Sequence, residues 1–137
     1  MTRVGPLRVI GTVRSPLKSK REAPNFYTEG APSALLELKP RFLRGLLRAS
    51  PGDELIVITW LHRARRGSLT TYPEDDRRHR RTGVFLTRSP DRPNPIGLHR
   101  CRILQVRQDG VLIDAIEAID GTPILDIKPV VREANDS

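Results

Sequence analysis

The amino-acid sequence predicts a mainly β fold: a single antiparallel β-barrel-like domain with one short helix and long functional loops. Two observations carry this. About seven short apolar runs are separated by turns and polar stretches, with one helical segment, no strand–helix alternation and no GxGxxG following a strand. At 137 residues the chain fits one domain, residues 1–137, and an aromatic content of only 4% leaves its core to aliphatic side chains.

The elements follow in order. Leu7–Val13 has β-branched residues in partial alternation and reads as a first strand, ended by Ser15-Pro16. Residues 15–33 form a long polar loop with Pro16, Pro24, Gly30 and Pro32, and long loops of compact domains tend to be functional or disordered. Ala34–Leu38 reads as a short strand. Pro40–Arg48 reads as the helix, with proline in its first turn and Phe42, Leu43, Leu46 and Leu47 on one face. Pro51-Gly52-Asp53 breaks it. Glu54–Leu61 is the most apolar run and is expected to be a buried central strand, with Trp60 in the core. Residues 62–82 are a second long polar stretch, rich in arginine, and Gly83–Leu86 returns to strand character. Ile96–Val106 alternates, with Ile96, Leu98, Ile103 or Leu104, and Val106 apolar between Arg100, Arg102 and Gln105. Gln108-Asp109-Gly110 is a turn joining it to an antiparallel return strand, Val111–Ile116. Asp120-Gly121 makes another turn before a last strand at Ile124–Ile127, and the tail Glu133–Ser137 is expected to fray.

Lys and Arg number 24 against 16 Asp and Glu, a formal charge of +8. That excess suits a polyanionic partner, because neutralising phosphates releases counterions; the plainer alternative is solubility. The single cysteine, Cys101, excludes an intramolecular disulfide and fits a reducing compartment; it reads as a buried structural thiol rather than a nucleophile. The first residues lack an apolar signal core and no stretch approaches membrane-spanning length, so a cytoplasmic location is expected. His62, His79 and His99 have no metal-ligand spacing and no second cysteine to help them, which argues against a metal site. No nucleophile elbow or phosphate-binding loop supports a hydrolase or NTPase.

Two segments stand out. In Thr87–Leu98, Pro90, Pro93 and Pro95 fix the backbone of an irregular loop whose stiffness reduces the entropy lost on gripping a ligand. Arg88 and Arg92 offer planar donors for carboxylate or phosphate, and Asn94 offers both a donor and an acceptor. A rigid connector with solvated arginines is the plainer reading. The second segment, Asp120-Gly121-Thr122-Pro123, is a turn that can aim a carboxylate into a cleft, though such turns are also routine hairpin chemistry. Asp126 and Lys128 then share a strand face and can pair with each other. The run Arg77, Arg78, Arg80 and Arg81 reads as a solvated face or a phosphate track, and the basic balance favours the track. Phe26, Tyr27 and Tyr72 are aromatics available to stack on a base.

These residues resemble the TrmO (YaeB-like, TsaA-like) family. The match runs through Ile10–Pro16, Glu29-Gly30 and Trp60-Leu61-His62, and is strongest in Gly83–Leu98 and Asp120–Pro129. The resemblance implies a β-barrel-like domain, a homodimer and an S-adenosylmethionine site unlike that of the common methyltransferase fold. It implies N6-methylation of threonylcarbamoyladenosine beside the anticodon of tRNA. By similarity, the cofactor contacts are Pro24, Asn25, Phe26, His62, Arg63, Arg88, Leu98, Asp120, Gly121, Thr122 and Pro123. Asp120 and Asp126 are the carboxylates placed to hold hydroxyls or an amino group, or to assist loss of a proton; neither is assigned as a general base. Tyr72–Asp76 is acidic where relatives are basic. A noncatalytic basic RNA-binding module and a methyltransferase acting on a small molecule are the competing readings.

Overall fold

The computed structural model describes residues 2–16, 32–73 and 76–131. Six strands close into an antiparallel barrel, in the order β1 (Gly11–Arg14), β2 (Ala34–Leu38), β7 (Gly110–Ile113), β6 (Ile96–Arg107), β3 (Glu54–Trp60) and β8 (Pro123–Pro129). β8 pairs back onto β1, with Gly11 opposite Ile124. Between β3 and β6 the chain leaves the barrel and forms a separate two-stranded ribbon, β4 (Thr70–Thr71) against β5 (Thr82–Gly83).

The barrel follows from period-two patterning. Along β2 and β3 every second residue turns inward: Leu36 and Leu38, then Leu55, Val57 and Thr59. Val13, Leu36, Val57, Ile103, Val111, Ile113, Ile116 and Ile124 are buried in an aliphatic core, as the low aromatic content requires. The β6–β7 turn forms at Gln108-Asp109, with Arg107 opposite Gly110. Gly110 is needed there for space as well as for its positive φ of 153°: a Cβ would collide with the Leu36 carbonyl oxygen.

Five elements differ from the sequence reading. The helix is a 3-10 turn over Pro40–Leu46, so its inward face repeats every three residues; Leu43 and Leu46 pack on the core while Leu47 is exposed. The first strand starts only at Gly11, and the strand character at Gly83 stops at once in a 3-10 turn over Val84–Leu86. Trp60 is not in the core: it lies on the outer side of β3, opposite Ile96, with the Arg66 guanidinium 5.1 Å from its ring centroid. The phase of β6 is inverted, because Gly97, His99, Cys101 and Ile103 face inward while Ile96 and Leu98 stay 44% and 48% exposed. Space decides this phase, since a Cβ on Gly97 would lie 2.5 Å from Thr59 Oγ1.

Candidate functional site

Strand direction gathers the singled-out segments at one end of the barrel. β1 and β3 finish there, and β2, β6 and β8 begin there, so Ser15, Leu61, Pro95 and Thr122 all stand on one rim. Short hydrogen bonds stitch the rim together. The Leu61 amide donates to the Pro95 carbonyl at 2.7 Å, and the Arg65 amide donates to Asp91 Oδ1 at 2.8 Å. Arg66 donates through Nε to the Pro93 carbonyl at 2.9 Å and through Nη2 to Asn94 Oδ1 at 3.3 Å. Across the rim, the Ser15 amide donates to Asp120 Oδ1 at 3.0 Å.

His62, Arg63 and the Asp120–Pro123 turn thus lie at the same end of the barrel, and Arg88 is carried on the loop fastened there through Asp91, Pro93 and Asn94. His62 and Arg63 directly follow β3, and both are exposed. Desolvation of the ring, then the Arg63 guanidinium, hold the His62 imidazole below its ordinary pKa, which favours the neutral ring able to accept a hydrogen bond. The two arginines of the proline loop divide their labour. Arg92 turns inward, donating to the carbonyls of Val84 and Thr87, the latter at 2.7 Å. Arg88 is exposed, with no hydrogen bond or ion pair among the described residues.

In the Asp120–Pro123 turn, Gly121 takes a φ of 85°, and Thr122 is 1% exposed with its hydroxyl donating to the Ile119 carbonyl at 2.7 Å. Thr122 therefore shapes the turn, while Asp120 stands between it and Ser15. Leu98 sits two pairs in from Trp60–Ile96, the last pair of β3 and β6, opposite Ile58 and with its side chain on the outer wall. Asp126 is on the wall as well, 3.2 Å from Lys128 Nζ, the pairing foreseen from their spacing. Pro24, Asn25, Phe26 and Tyr27, with Glu74 and Asp75, lie outside the described residues.

Of the arginine run, Arg78 is bound to Asp76, whose carboxyl it holds below the usual range, whereas Arg77 and Arg81 stack on Tyr72. Among the described residues no three His, Cys, Asp or Glu side chains converge on a metal position, and no helix is long and apolar enough to cross a membrane.

Sequence reasoning missed one buried constellation. His99, 4% exposed, places Nδ1 2.5 Å from Glu117 Oε1 and Nε2 2.7 Å from Thr59 Oγ1. Thr59 and Glu117 are 40 and 18 positions from His99 along the chain, so only the β3–β6 register and the segment after β7 assemble them.

Residues 12–136 match the family model described as the tRNA-methyltransferase O N-terminal domain. The chain belongs to this family. A TrmO crystal structure from Pseudomonas aeruginosa superposes with a TM-score of 0.75 at 28% identity, over 98% of this chain and 60% of that one. A "Probable S-adenosyl-L-methionine-binding protein" of Archaeoglobus fulgidus is 40% identical over 90% of this chain and 33% of its own length. A second protein of that organism, an "S-adenosyl-L-methionine-binding protein", is 35% identical over 89% of this chain and 86% of its own length. This TrmO-family chain therefore spans a third of one such relative and most of the other. At this end of the barrel stand the His62 imidazole and the Asp120 carboxylate, which accepts from the Ser15 amide, while the Arg88 guanidinium has no partner among the described residues.

Proposed function

We propose that this chain is an S-adenosylmethionine-dependent methyltransferase that methylates N6 of threonylcarbamoyladenosine beside the anticodon of tRNA. The family match supports the reading, together with a barrel that sets His62, Arg63 and the Asp120 turn at one end and fastens the Arg88-bearing loop there. The names of the Archaeoglobus fulgidus relatives support the cofactor, and the formal charge of +8 supports a polyanionic substrate.

Bound there, the cofactor supplies an activated methyl group, so the protein has mainly to orient it and to hold the acceptor nitrogen in line. Arg88 pairs with the amino-acid carboxylate. Asp120 receives the amino group or ribose hydroxyls, with Gly121, Thr122 and Pro123 fixing its approach. By family resemblance, Pro24, Asn25, Phe26, His62 and Arg63 would be further cofactor contacts. Leu98 acts from the outer wall, where Ile96 and Leu98 offer an apolar stripe to a second copy in a cytoplasmic homodimer. The arginine run lies on the RNA side, with Arg77, Arg80 and Arg81 turned to the substrate and Arg78 held by Asp76 instead.

Calorimetry and methyl transfer test the proposal. S-adenosylmethionine is expected to bind, and labelled methyl is expected to pass to tRNA bearing the threonylcarbamoyl group but not to tRNA lacking it. No binding at millimolar cofactor rejects the enzyme in favour of a noncatalytic RNA-binding module. Binding without labelling of either tRNA points to a small-molecule acceptor.

A further inference from the structure

The β4–β5 ribbon carries a site of its own. Thr70, Thr71, Tyr72, Arg77 and Arg81 line a cleft of about 310 Å³, and none of these five residues is acidic. Both arginines hold their guanidinium carbons 5.3 Å from the centroid of the Tyr72 ring. Stacking of this kind fixes the plane of a guanidinium through the ring quadrupole and consumes none of its in-plane N–H donors. Two oriented cations thus keep their hydrogen-bonding capacity at the mouth of one cleft.

Their neighbour shows the opposite arrangement. Arg78 donates from Nε to Asp76 Oδ1 and Oδ2 at 3.0 Å each, and from Nη2 to Oδ2 at 2.7 Å. Its fork is occupied and its charge offset, so within the basic run Arg78 is self-paired while Arg77 and Arg81 are presented.

We propose that this cleft is a phosphate subsite for the RNA substrate, with Arg77 and Arg81 gripping a backbone phosphodiester beside the Thr70 and Thr71 hydroxyls. The proposal rests on the tRNA reading above. A polymer is favoured over a free anion because the ribbon is fastened to the cofactor rim. The buried Val84 donates its amide to the Leu69 carbonyl at 3.0 Å, and its own carbonyl accepts from Arg92, on the loop that presents Arg88. A strand of RNA whose base enters the rim can lay a neighbouring phosphate on the ribbon, and one rigid excursion then sets the spacing between the two.

The test compares the full-length chain with Arg77→Gln/Arg81→Gln and with Arg78→Gln. Binding of bulk tRNA is followed across a salt series, and S-adenosylmethionine calorimetry checks that each variant is folded. The double variant is expected to lower the slope of log affinity against log salt by roughly 0.7 to 0.9 for each phosphate it no longer neutralises, while Arg78→Gln leaves the slope unchanged. An unchanged slope in the double variant overturns the subsite and leaves the tRNA reading standing. Equal losses in both variants also overturn it, since charge alone is then sufficient. If the wild-type chain binds cofactor but not tRNA, the substrate reading falls and the RNA subsite falls with it. Titration with inorganic phosphate, read at the Tyr72 ring resonances, then shows whether the cleft serves a free anion instead.

Discussion

His99 Nδ1 lies 2.5 Å from Glu117 Oε1, so a histidine inside the barrel wall holds a carboxylate from the segment that leads into the Asp120 turn. The other nitrogen of the ring meets Thr59 Oγ1 on β3. Both ring nitrogens are satisfied in a buried setting, where a lone polar group costs far more than it does in water. His99→Ala is expected to destabilise the fold by roughly 2–4 kcal/mol, from the cavity and the two stranded partners. Glu117→Gln, which keeps the shape, is expected to cost less than His99→Ala. Denaturant unfolding measures both, and a His99→Ala midpoint equal to wild type would show that the network is inert.

Gly97 explains how that network fits. A Cβ there would lie 2.5 Å from Thr59 Oγ1 and 2.7 Å from His99 Nε2, driving the two apart. Gly97→Ala is therefore expected to destabilise by about 1–3 kcal/mol, as overpacked cores do. In the Thr59→Ala background the same change is expected to cost less, and a double-mutant cycle reads the coupling.

Cys101 gives a pH dependence. Burial first, then the Asp114 and Glu117 carboxylates, push its thiol up to about 12. The unfolded thiol titrates near its ordinary value, about 8.5. The folded state thus favours the protonated form. This contribution to stability is fully present below the ordinary value and is lost as pH rises towards the folded one. The stability difference between wild type and Cys101→Ala is expected to fall steadily above about pH 9, measured by urea unfolding at successive pH values. At pH 8 the native thiol is expected to resist iodoacetamide until the chain unfolds.

Arg88 and Arg92 sit four residues apart on one loop and are expected to fail differently. Arg88→Gln is expected to weaken cofactor binding by roughly tenfold or more with little change in melting temperature, because its fork is spent on no other group among the described residues. Arg92→Gln removes the side-chain donor from the Thr87 carbonyl and one of three donors from the Val84 carbonyl, and is expected to lower the melting temperature itself. Calorimetry and thermal melts on the two variants separate the roles.

The barrel is legible in the sequence because β2, β3 and the β6–β7 hairpin alternate cleanly and Gly110 marks the turn. Phase is harder to read. In β6 the apolar Ile96 and Leu98 look like core residues, yet closure against β3 leaves room inside only for Gly97 and a hydrogen-bonded His99. Residue spacing also does not tell Arg88 from Arg92, nor Arg78 from Arg77 and Arg81, because their partners are carbonyls, a carboxylate and a ring fixed by the fold. The likeness of Gly83–Leu98 and Asp120–Pro129 to the family points to the rim; the His99 network has no such marker.

Trp60 and Ile96 are cross-strand partners, so the barrel itself joins the two ends of the excursion that carries the ribbon and the proline loop. Closing that gap costs little extra chain entropy however long the insert grows. The β4–β5 ribbon can therefore change in length while the six barrel strands keep their register, whereas the proline loop, fixed through Arg92 and Pro95, is tied to the stability of the whole.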